Sequence, residues 1–263
     1  MPDDSKAKRP KLNQRLMSAP SGTVLTSPWL RQQGISTRLA DYYARSGWLR
    51  RVGDGAFTVR AESPSWLGAV FGLQGKSKWF HPGGRTALEL SGFAHFLPLG
   101  DHYPVYLFSR ARDRLPAWFQ GLPLASRVRH MRTDFLPVDA GWREHDAGAF
   151  SVTISAPERA ALELLHQLTP DAAAYEHASL VFESLGTLRP DVVQLLLEHC
   201  TSIKVKRLFL HLAERHGHAW FKQLDVTKVD LGSGKRALIP GGRLDPKYLI
   251  TVPAVTETPD DAP

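Results

Sequence analysis

The stretch that most constrains the fold of this chain is residues 26–60, TSPWLRQQGISTRLADYYARSGWLRRVGDGAFTVR. It contains two short segments with helical character, residues 28–33 and 37–45, on either side of Gly34. Glycine suits a tight turn between two helices because it adopts positive φ without steric penalty. Ser36 stands where a helix N-cap is needed, since its hydroxyl can accept a hydrogen bond from the following turn. The stretch therefore predicts a helix–turn–helix unit.

The second of these helices has an apolar face and a polar face. Leu39 and Tyr43 lie four residues apart and share the apolar face with Ile35. The polar side chains project elsewhere, so they are free to contact a partner. The residues that we expect on this contact surface are Ser36, Thr37, Arg38, Tyr42 and Arg45.

Two short strands follow, residues 48–52 and 56–60, and Gly53-Asp54-Gly55 joins them as a hairpin. We expect the apolar side chains of the strands to bury one side of the hairpin; they are Trp48, Val52, Phe57 and Val59. Arg50, Arg51 and Arg60 lie near the tip or the ends, where the phosphate backbone of a duplex would pass. A hairpin in this place is the wing of a winged helix-turn-helix, so double-stranded DNA is the first partner to consider.

The distribution of charge supports that interpretation. Residues 1–60 carry eleven Lys and Arg against four Asp and Glu, a net charge of +7, whereas residues 61–263 carry 22 of each and are neutral. A uniformly basic surface would indicate only solubility or loose affinity for polyanions. A localised excess that coincides with a helix-turn-helix pattern is the electrostatic footprint of a DNA-binding surface. The open alternative is a solvated basic arm beside an ordinary helical hairpin.

Composition excludes several other classes of protein. The chain of 263 residues is 43% hydrophobic, enough for two domains with cores of their own. The longest run without a charged residue, residues 16–30, is too short and too rich in Ser, Pro and Gly to cross a bilayer. The single cysteine, Cys200, cannot form an internal disulfide. We therefore expect a cytoplasmic protein without a membrane segment.

The pattern along the chain predicts an α+β protein. We expect a flexible basic arm (residues 1–11), a winged helix-turn-helix domain (12–62) that opens with a helix near residues 12–17, a larger mixed α/β domain (63–252), and a disordered acidic tail (253–263). In the larger domain, apolar spacing predicts helices over residues 85–96, 175–185, 191–200 and 203–216. Aromatic and β-branched content predicts strands over residues 103–109, 126–131 and 150–154. Ser155 and Glu158 have the spacing of a capping box, which predicts a helix that ends at Leu168.

No group of residues predicts a catalytic or metal site. Gly232-Ser233-Gly234-Lys235-Arg236 superficially resembles a phosphate-binding loop, but Val229 stands where that motif needs glycine and Arg236 stands where it needs Ser or Thr. The histidines near Cys200 lack the spacing of a zinc site, so we interpret His211, His216 and His218 as exposed residues at helix ends. The carboxylates show no metal-binding spacing. We therefore expect no cofactor, no metal and no enzymatic turnover.

A basic cluster near the carboxyl-terminal third has two interpretations. It consists of Lys204, Lys206 and Arg207 at the start of one predicted helix, where Lys204 and Arg207 lie three apart and so share a face. The cluster is either a site for a phosphate or an acidic partner, or a solvated helix face.

Several segments in order resemble the AbiEi-type antitoxins of type IV toxin–antitoxin systems. They are GIS…LADYYARSGWLRRVGDGAF, GGRTALELSGFAHFLPLG, ISAPERAALELL, SIKVKRLFLHLAE and DLGSGKRALIPGGRLDPKYLITVP, and the resemblance runs from about residue 12 to residue 253. It implies a winged helix that represses the operon's own promoter. It also implies a carboxyl-terminal domain that counteracts a nucleotidyltransferase toxin, as in phage abortive infection, without a stable toxin–antitoxin complex.

The resemblance also suggests site residues. The recognition helix matches residues 36–46 and the wing matches residues 48–60. The basic segments of the antitoxin domain match Arg207 and the pair Lys235 and Arg236, so the expected antitoxin surface combines them with Lys204 and Lys206.

Our leading hypothesis is thus a DNA-binding autorepressor that is also an antitoxin. Two alternatives stay open. The first is a stand-alone winged-helix regulator whose larger domain binds an effector or dimerises, and the absence of an adjacent nucleotidyltransferase gene would favour it. The second is a nucleic-acid-processing enzyme, which sustained turnover of tRNA, DNA or nucleotides would reveal.

Overall fold

The computed structural model describes residues 19–59, 62–77, 79–93 and 104–253, and within them the fold is mixed α/β. The described helices are α1 (Ser27–Gln32), α2 (Thr37–Arg45), α3 (Trp66–Gln74), α4 (Gly84–Leu90), α5 (Ala117–Gln120), α6 (Pro157–Gln167), α7 (Ala172–Ser184), α8 (Pro190–His199) and α9 (Ile203–Arg215). Short 3-10 helices span Pro123–Arg127, Ala219–Gln223 and Val226–Lys228. In this part of the chain, none of the helices combines the length and the apolar character that crossing a bilayer requires.

The strands are short and form small sheets. They are β1 (Leu25–Thr26), β2 (Leu49–Gly53), β3 (Ala56–Val59), β4 (His81–Pro82), β5 (Val105–Ser109), β6 (Val128–Arg132), β7 (Trp142–Asp146), β8 (Ser151–Ser155), β9 (Arg243–Asp245) and β10 (Ile250–Val252). Their order in the sheets is β1-β3-β2, β4-β5-β6, β7-β8 and β10-β9. Several expectations concern residues outside the described ranges: the basic arm, the helix near residues 12–17, Arg60 and the tail from residue 254. The helix predicted over residues 85–96 ends earlier, at Leu90, because the chain turns at Ser91 and Gly92, where Gly92 has a φ of 88°.

The predicted pair of helices is present, and the reasons are local. Both Gly34 and Gly47 have a φ of 79° and follow the last residues of α1 and α2, respectively. In each case the next amide bonds back across the final turn: Ile35 N–H donates to the Leu30 carbonyl at 2.8 Å, and Trp48 N–H donates to the Tyr43 carbonyl at 2.9 Å. This is the glycine-terminated helix end that satisfies otherwise unpaired carbonyls. The turns thus fix where each helix stops.

An apolar cluster holds these helices and the following hairpin together. It contains Leu25, Leu30, Ile35, Ala40, Tyr43, Leu49 and Phe57, all at most 5% exposed. Strands β2 and β3 pair antiparallel, with Arg50 opposite Thr58. Strand β1, which the pattern did not predict, adds a third strand through the Leu25–Phe57 pair. The arrangement of two helices and a hairpin fits a winged helix-turn-helix.

One apolar residue of the predicted hairpin is at the surface and not in the core. Trp48 was expected to bury one side of the wing, but it precedes β2 and its surface is 47% exposed. The prediction was wrong because Leu49, the next residue, takes the buried position at 2% exposure. Neighbouring residues of an extended chain point to opposite faces, so burying one exposes the other.

The chain divides into two compact units that are not continuous in sequence. The first comprises residues 1–81, 112–128 and 144–153, and the second comprises residues 82–111, 129–143 and 154–263. The domain limits inferred from the sequence, with a junction at residues 62–63, stay a prediction.

In the second unit, helix α6 begins without the predicted capping box. Its N-cap is Ala156, not Ser155, and no side chain caps it. The Ser155 hydroxyl instead donates to the buried carboxylate of Glu163 at 2.7 Å, which also accepts from Arg159 at 2.9 Å. Glu158 accepts from the Arg189 guanidinium at 3.0 Å. The capping-box prediction was wrong because both polar side chains find tertiary partners that a local pattern does not show.

Candidate nucleic-acid interface

Helix α2 presents its polar face to solvent. Thr37, Arg38 and Arg45 are exposed, and Tyr42 is 57% exposed although it is a large aromatic residue. The opposite face is buried through Ala40 and Tyr43. The face that would enter a groove is therefore uncovered by the rest of the described chain.

The N-terminus of α2 is capped as predicted. The Ser36 hydroxyl oxygen accepts a hydrogen bond from the Leu39 amide at 3.3 Å, and its backbone is extended, as an N-cap requires. Ser36 is itself exposed. The first turn, which is the part of a recognition helix that contacts base edges, is thus both fixed and accessible.

The two wing arginines are exposed, but both interact with the protein. Arg51 forms an ion pair with Asp41 of α2, and its guanidinium also lies 4.9 Å from the centre of the Phe57 ring. Arg50 donates to the Glu62 carbonyl at 2.9 Å. The sequence pattern gave no sign of these contacts. Asp41 therefore offsets the charge of Arg51, whereas the hydrogen bond to a neutral carbonyl orients Arg50 and leaves its charge in place.

The wing is packed against a segment that is distant in sequence. A Cβ atom added at Gly53 of β2 would lie only 2.8 Å from the Cα atom of Trp118, and one added at Gly72 of α3 would lie 3.3 Å from the Trp118 ring. Gly53 has no positive φ, so close approach rather than backbone conformation explains the glycine there. Sequence reasoning missed Trp118, because no local pattern around it indicates a wing contact.

The basic cluster of α9 is not the surface that was predicted. Lys206 and Arg207 are 3% and 1% exposed, so both are corrections to the expected antitoxin surface. Arg207 donates to the carbonyls of Leu231, Gly232, Gly234 and Leu249 at 2.7–3.1 Å. Its guanidinium holds the loop around Gly232 in place. Lys204 is half-buried and donates to the Leu168 carbonyl at 3.5 Å.

The remaining two predicted cations lie on that loop and are exposed. Lys235 and Arg236 follow Gly234, whose φ is 73°, and the Arg236 amide donates to the Leu249 carbonyl at 2.9 Å. The segment is therefore a turn anchored by Arg207 and by backbone pairing. It presents two cations to solvent.

The three histidines interpreted as exposed, His211, His216 and His218, are partly buried and have hydrogen-bond partners, which corrects that interpretation. His211 lies between Asp245 Oδ2 at 2.6 Å and the Tyr175 hydroxyl at 2.8 Å, and burial lowers its pKa. His216 contacts the Ser179 hydroxyl and His218 contacts the Phe182 carbonyl. No group of His, Cys, Asp and Glu in the described ranges has the arrangement of a metal site.

Cys200 has no features of a nucleophile. The side chain is 3% exposed, and burial raises the pKa of its thiol to about 11. A thiol with such a pKa is protonated at neutral pH and therefore unreactive.

The geometry fits the class of DNA-binding regulators, with an exposed polar helix over an apolar core and a hairpin beside it. Comparison with protein families agrees. Residues 8–99 match the N-terminal domain of the AbiEi antitoxin transcriptional regulators, and residues 102–253 match the family described as "Transcriptional regulator, AbiEi antitoxin, Type IV TA system". The chain belongs to this family of antitoxin transcriptional regulators of type IV toxin–antitoxin systems.

A solved structure shares the fold. This chain is similar to the crystal structure of the RV2827C protein from Mycobacterium tuberculosis, with 15% sequence identity and a TM-score of 0.57. The match covers 92% of this chain and 89% of the other. At this identity the likeness concerns the fold alone. None of the curated proteins matches the chain.

Proposed function

We propose that this protein binds double-stranded DNA of its own promoter region through a winged helix-turn-helix and represses its operon. The observation that carries the proposal is the exposed polar face of α2 above a closed apolar core. A helix with such a face fits the major groove, where each base pair presents a distinct pattern of donors and acceptors. The family of transcriptional regulators to which the chain belongs supports the same role.

The residues of this unit that we propose contact DNA have two roles. We assign Thr37, Arg38, Tyr42 and Arg45, together with the capping Ser36, to the groove, because they lie along one exposed face. We assign Arg50, Arg51 and Arg60 to the phosphate backbone. Base contacts specify sequence, whereas phosphate contacts position the protein and are insensitive to sequence.

Substitution of one residue from each group tests the proposal. Replacing Arg38 by Gln should cost about 1–3 kcal/mol of discrimination between promoter and scrambled duplexes. Replacing Arg51 by Gln should weaken binding to both duplexes alike and lower the salt slope by about one unit. Fluorescence anisotropy titrations of the full chain on both duplexes, repeated at several salt concentrations, measure both quantities. Wild-type binding that depends on neither sequence nor salt would overturn the proposal.

We further propose that the second unit counteracts a nucleotidyltransferase toxin encoded beside this chain, without a stable complex. Lys204, Lys235 and Arg236 are the predicted antitoxin residues that keep some exposure, and the last two lie on a loop held by buried contacts. The protein would act in the cytoplasm, by binding and not by turnover. Co-expression with the neighbouring gene tests this part: the wild-type chain should restore growth, and Lys235→Gln/Arg236→Gln should restore it less well. Equal rescue by the variant would remove these two residues from the proposed surface.

A further inference from the structure

A second concentration of positive charge lies outside the helix-turn-helix. Residues 110–132 contain six arginines and a single acidic residue, Asp113. The net charge of residues 61–263 is zero in spite of this excess, because acidic residues elsewhere in that range offset it. Arg112 and Arg114 are exposed, and neither has an acidic partner in the described part of the chain. We call these two residues the Arg112/Arg114 pair.

The structure places this pair in the same compact unit as the helix-turn-helix. Residues 112–128 belong to the first unit, and Trp118 lies against Gly53 of the wing strand β2. Arg114 and Arg112 are four and six positions from Trp118, so their Cα atoms lie at most about 14 Å and about 22 Å from that of Trp118, even for a fully extended chain. Because Trp118 is packed against β2, the chain length limits how far the pair can lie from the wing.

The described arginines of the wing both have partners within the protein, so further positive charge next to the wing would add to DNA binding. Arg51 is paired with Asp41, and Arg50 donates to the backbone at Glu62. A wing that approaches a phosphate backbone needs positive charge that is not neutralised by the protein. The Arg112/Arg114 pair supplies such charge beside β2.

We propose that the Arg112/Arg114 pair is a second phosphate-binding site for duplex DNA, next to the wing, which extends the interface beyond the recognition helix. This inference rests on the proposed function. Guanidinium groups bind phosphate oxygens through charge-assisted hydrogen bonds, without regard to base sequence. The pair therefore contributes affinity and orientation, while α2 provides the sequence preference.

The decisive experiment compares salt dependence among variants of the full chain. Neutralising two phosphate contacts should reduce the slope of log K against log salt by about 1.8, because each contact contributes about 0.9. We take the contribution of each contact to be zero at 1 M salt. A slope difference of about 1.8 then means that Arg112→Gln/Arg114→Gln binds about thirtyfold more weakly than the wild type at about 0.15 M salt. The loss should be the same on promoter and scrambled duplexes.

Two control variants make the result specific to this site. Lys222→Gln/Arg243→Gln removes the same charge from exposed positions of the second unit and should change the slope little. Arg112→Lys/Arg114→Lys retains the charge and should retain most of the affinity. Circular dichroism of each variant verifies that the fold is intact, which we expect because the substituted side chains are exposed.

The outcomes separate the two proposals. If Arg38→Gln loses sequence preference while the Arg112→Gln/Arg114→Gln variant binds with the wild-type slope, the second site is refuted and the proposed function stands. An equal loss in the Lys222→Gln/Arg243→Gln control would refute the second site as well, since net charge alone would explain the effect. A wild-type chain without preference for promoter DNA would overturn the proposed function itself, and the second site with it.

Discussion

Asp41 of the exposed helix α2 and Arg51 of the wing strand β2 form an ion pair that connects the two parts of the helix-turn-helix unit. Both side chains are more than two-fifths exposed, so solvent screens the pair and its contribution to stability is small, about 0–1 kcal/mol. A phosphate can therefore compete with Asp41 for the guanidinium. The pair holds Arg51 in place, and under the proposed function it must open before Arg51 can bind a phosphate.

Removing Asp41 should strengthen DNA binding. In Asp41→Asn, Arg51 no longer has to exchange one partner for another, so binding should tighten by up to about fivefold, the equivalent of about 1 kcal/mol. Asp54→Asn is the matched control, because it removes the same charge from an exposed position at the wing tip. The double variant Asp41→Asn/Arg51→Gln should bind DNA no more tightly than Arg51→Gln alone. Equal tightening by both single variants would contradict the role of the ion pair.

Gly53→Ala should displace the wing. The added methyl group would meet the backbone of Trp118, which cannot move as the end of a flexible side chain can. Overpacking of this kind costs about 1–3 kcal/mol of unfolding free energy. Urea denaturation measures the loss, and Gly186→Ala is the control, because within the described chain and apart from its two neighbours the added Cβ would lie near a histidine nitrogen at an ordinary 3.9 Å. Unchanged stability in Gly53→Ala would mean that the packing of Trp118 on β2 is looser than the structure shows.

Arg207→Met should destabilise the carboxyl-terminal loop. The substitution removes the guanidinium donor from four carbonyls, and the Leu249 carbonyl keeps a second donor in the Arg236 amide. The expected loss of unfolding free energy is on the order of 3 kcal/mol. Arg207→Lys should recover only part of it, because an ammonium lacks the planar fork of the guanidinium. The control Lys204→Met removes one long hydrogen bond and should change the melting temperature little. A melting curve of Arg207→Met that matches the wild type would contradict this prediction.

Cys200 should make stability depend on pH in the alkaline range. Its pKa is raised from 9.0 to about 11 in the folded protein, so the folded state keeps the proton that the unfolded state releases. The contribution is present in full below about pH 9 and is lost as the pH rises to about 11. A shift of this size is worth about 2–3 kcal/mol. Urea denaturation across this window should show a smaller decrease for Cys200→Ala than for the wild type, and parallel profiles would refute the assignment.

The sequence by itself determined the local features of the chain. Gly34 and Ser36 mark the limits of the first two helices because left-handed glycine and N-capping serine act on backbone groups only a few residues away. The limits Thr37–Arg45 and the exposure of Arg38 follow from helical periodicity. The family follows from the order of the segments along the chain. The wing hairpin follows in the same way from two short strands around Asp54 and Gly55.

Only the tertiary structure decided which charged groups are free. Arg207 is predicted on a surface by its position in the sequence, but the carbonyls that bury it lie 24 to 42 residues away. Arg51 meets Asp41 across two elements, and Trp118 reaches the wing from a remote segment. Periodicity and capping depend on neighbours within one turn, whereas desolvation of a charge depends on every group that packs around it. That is why the sequence indicates a candidate interface, whereas the fold determines which of the predicted cations are buried or paired within the protein.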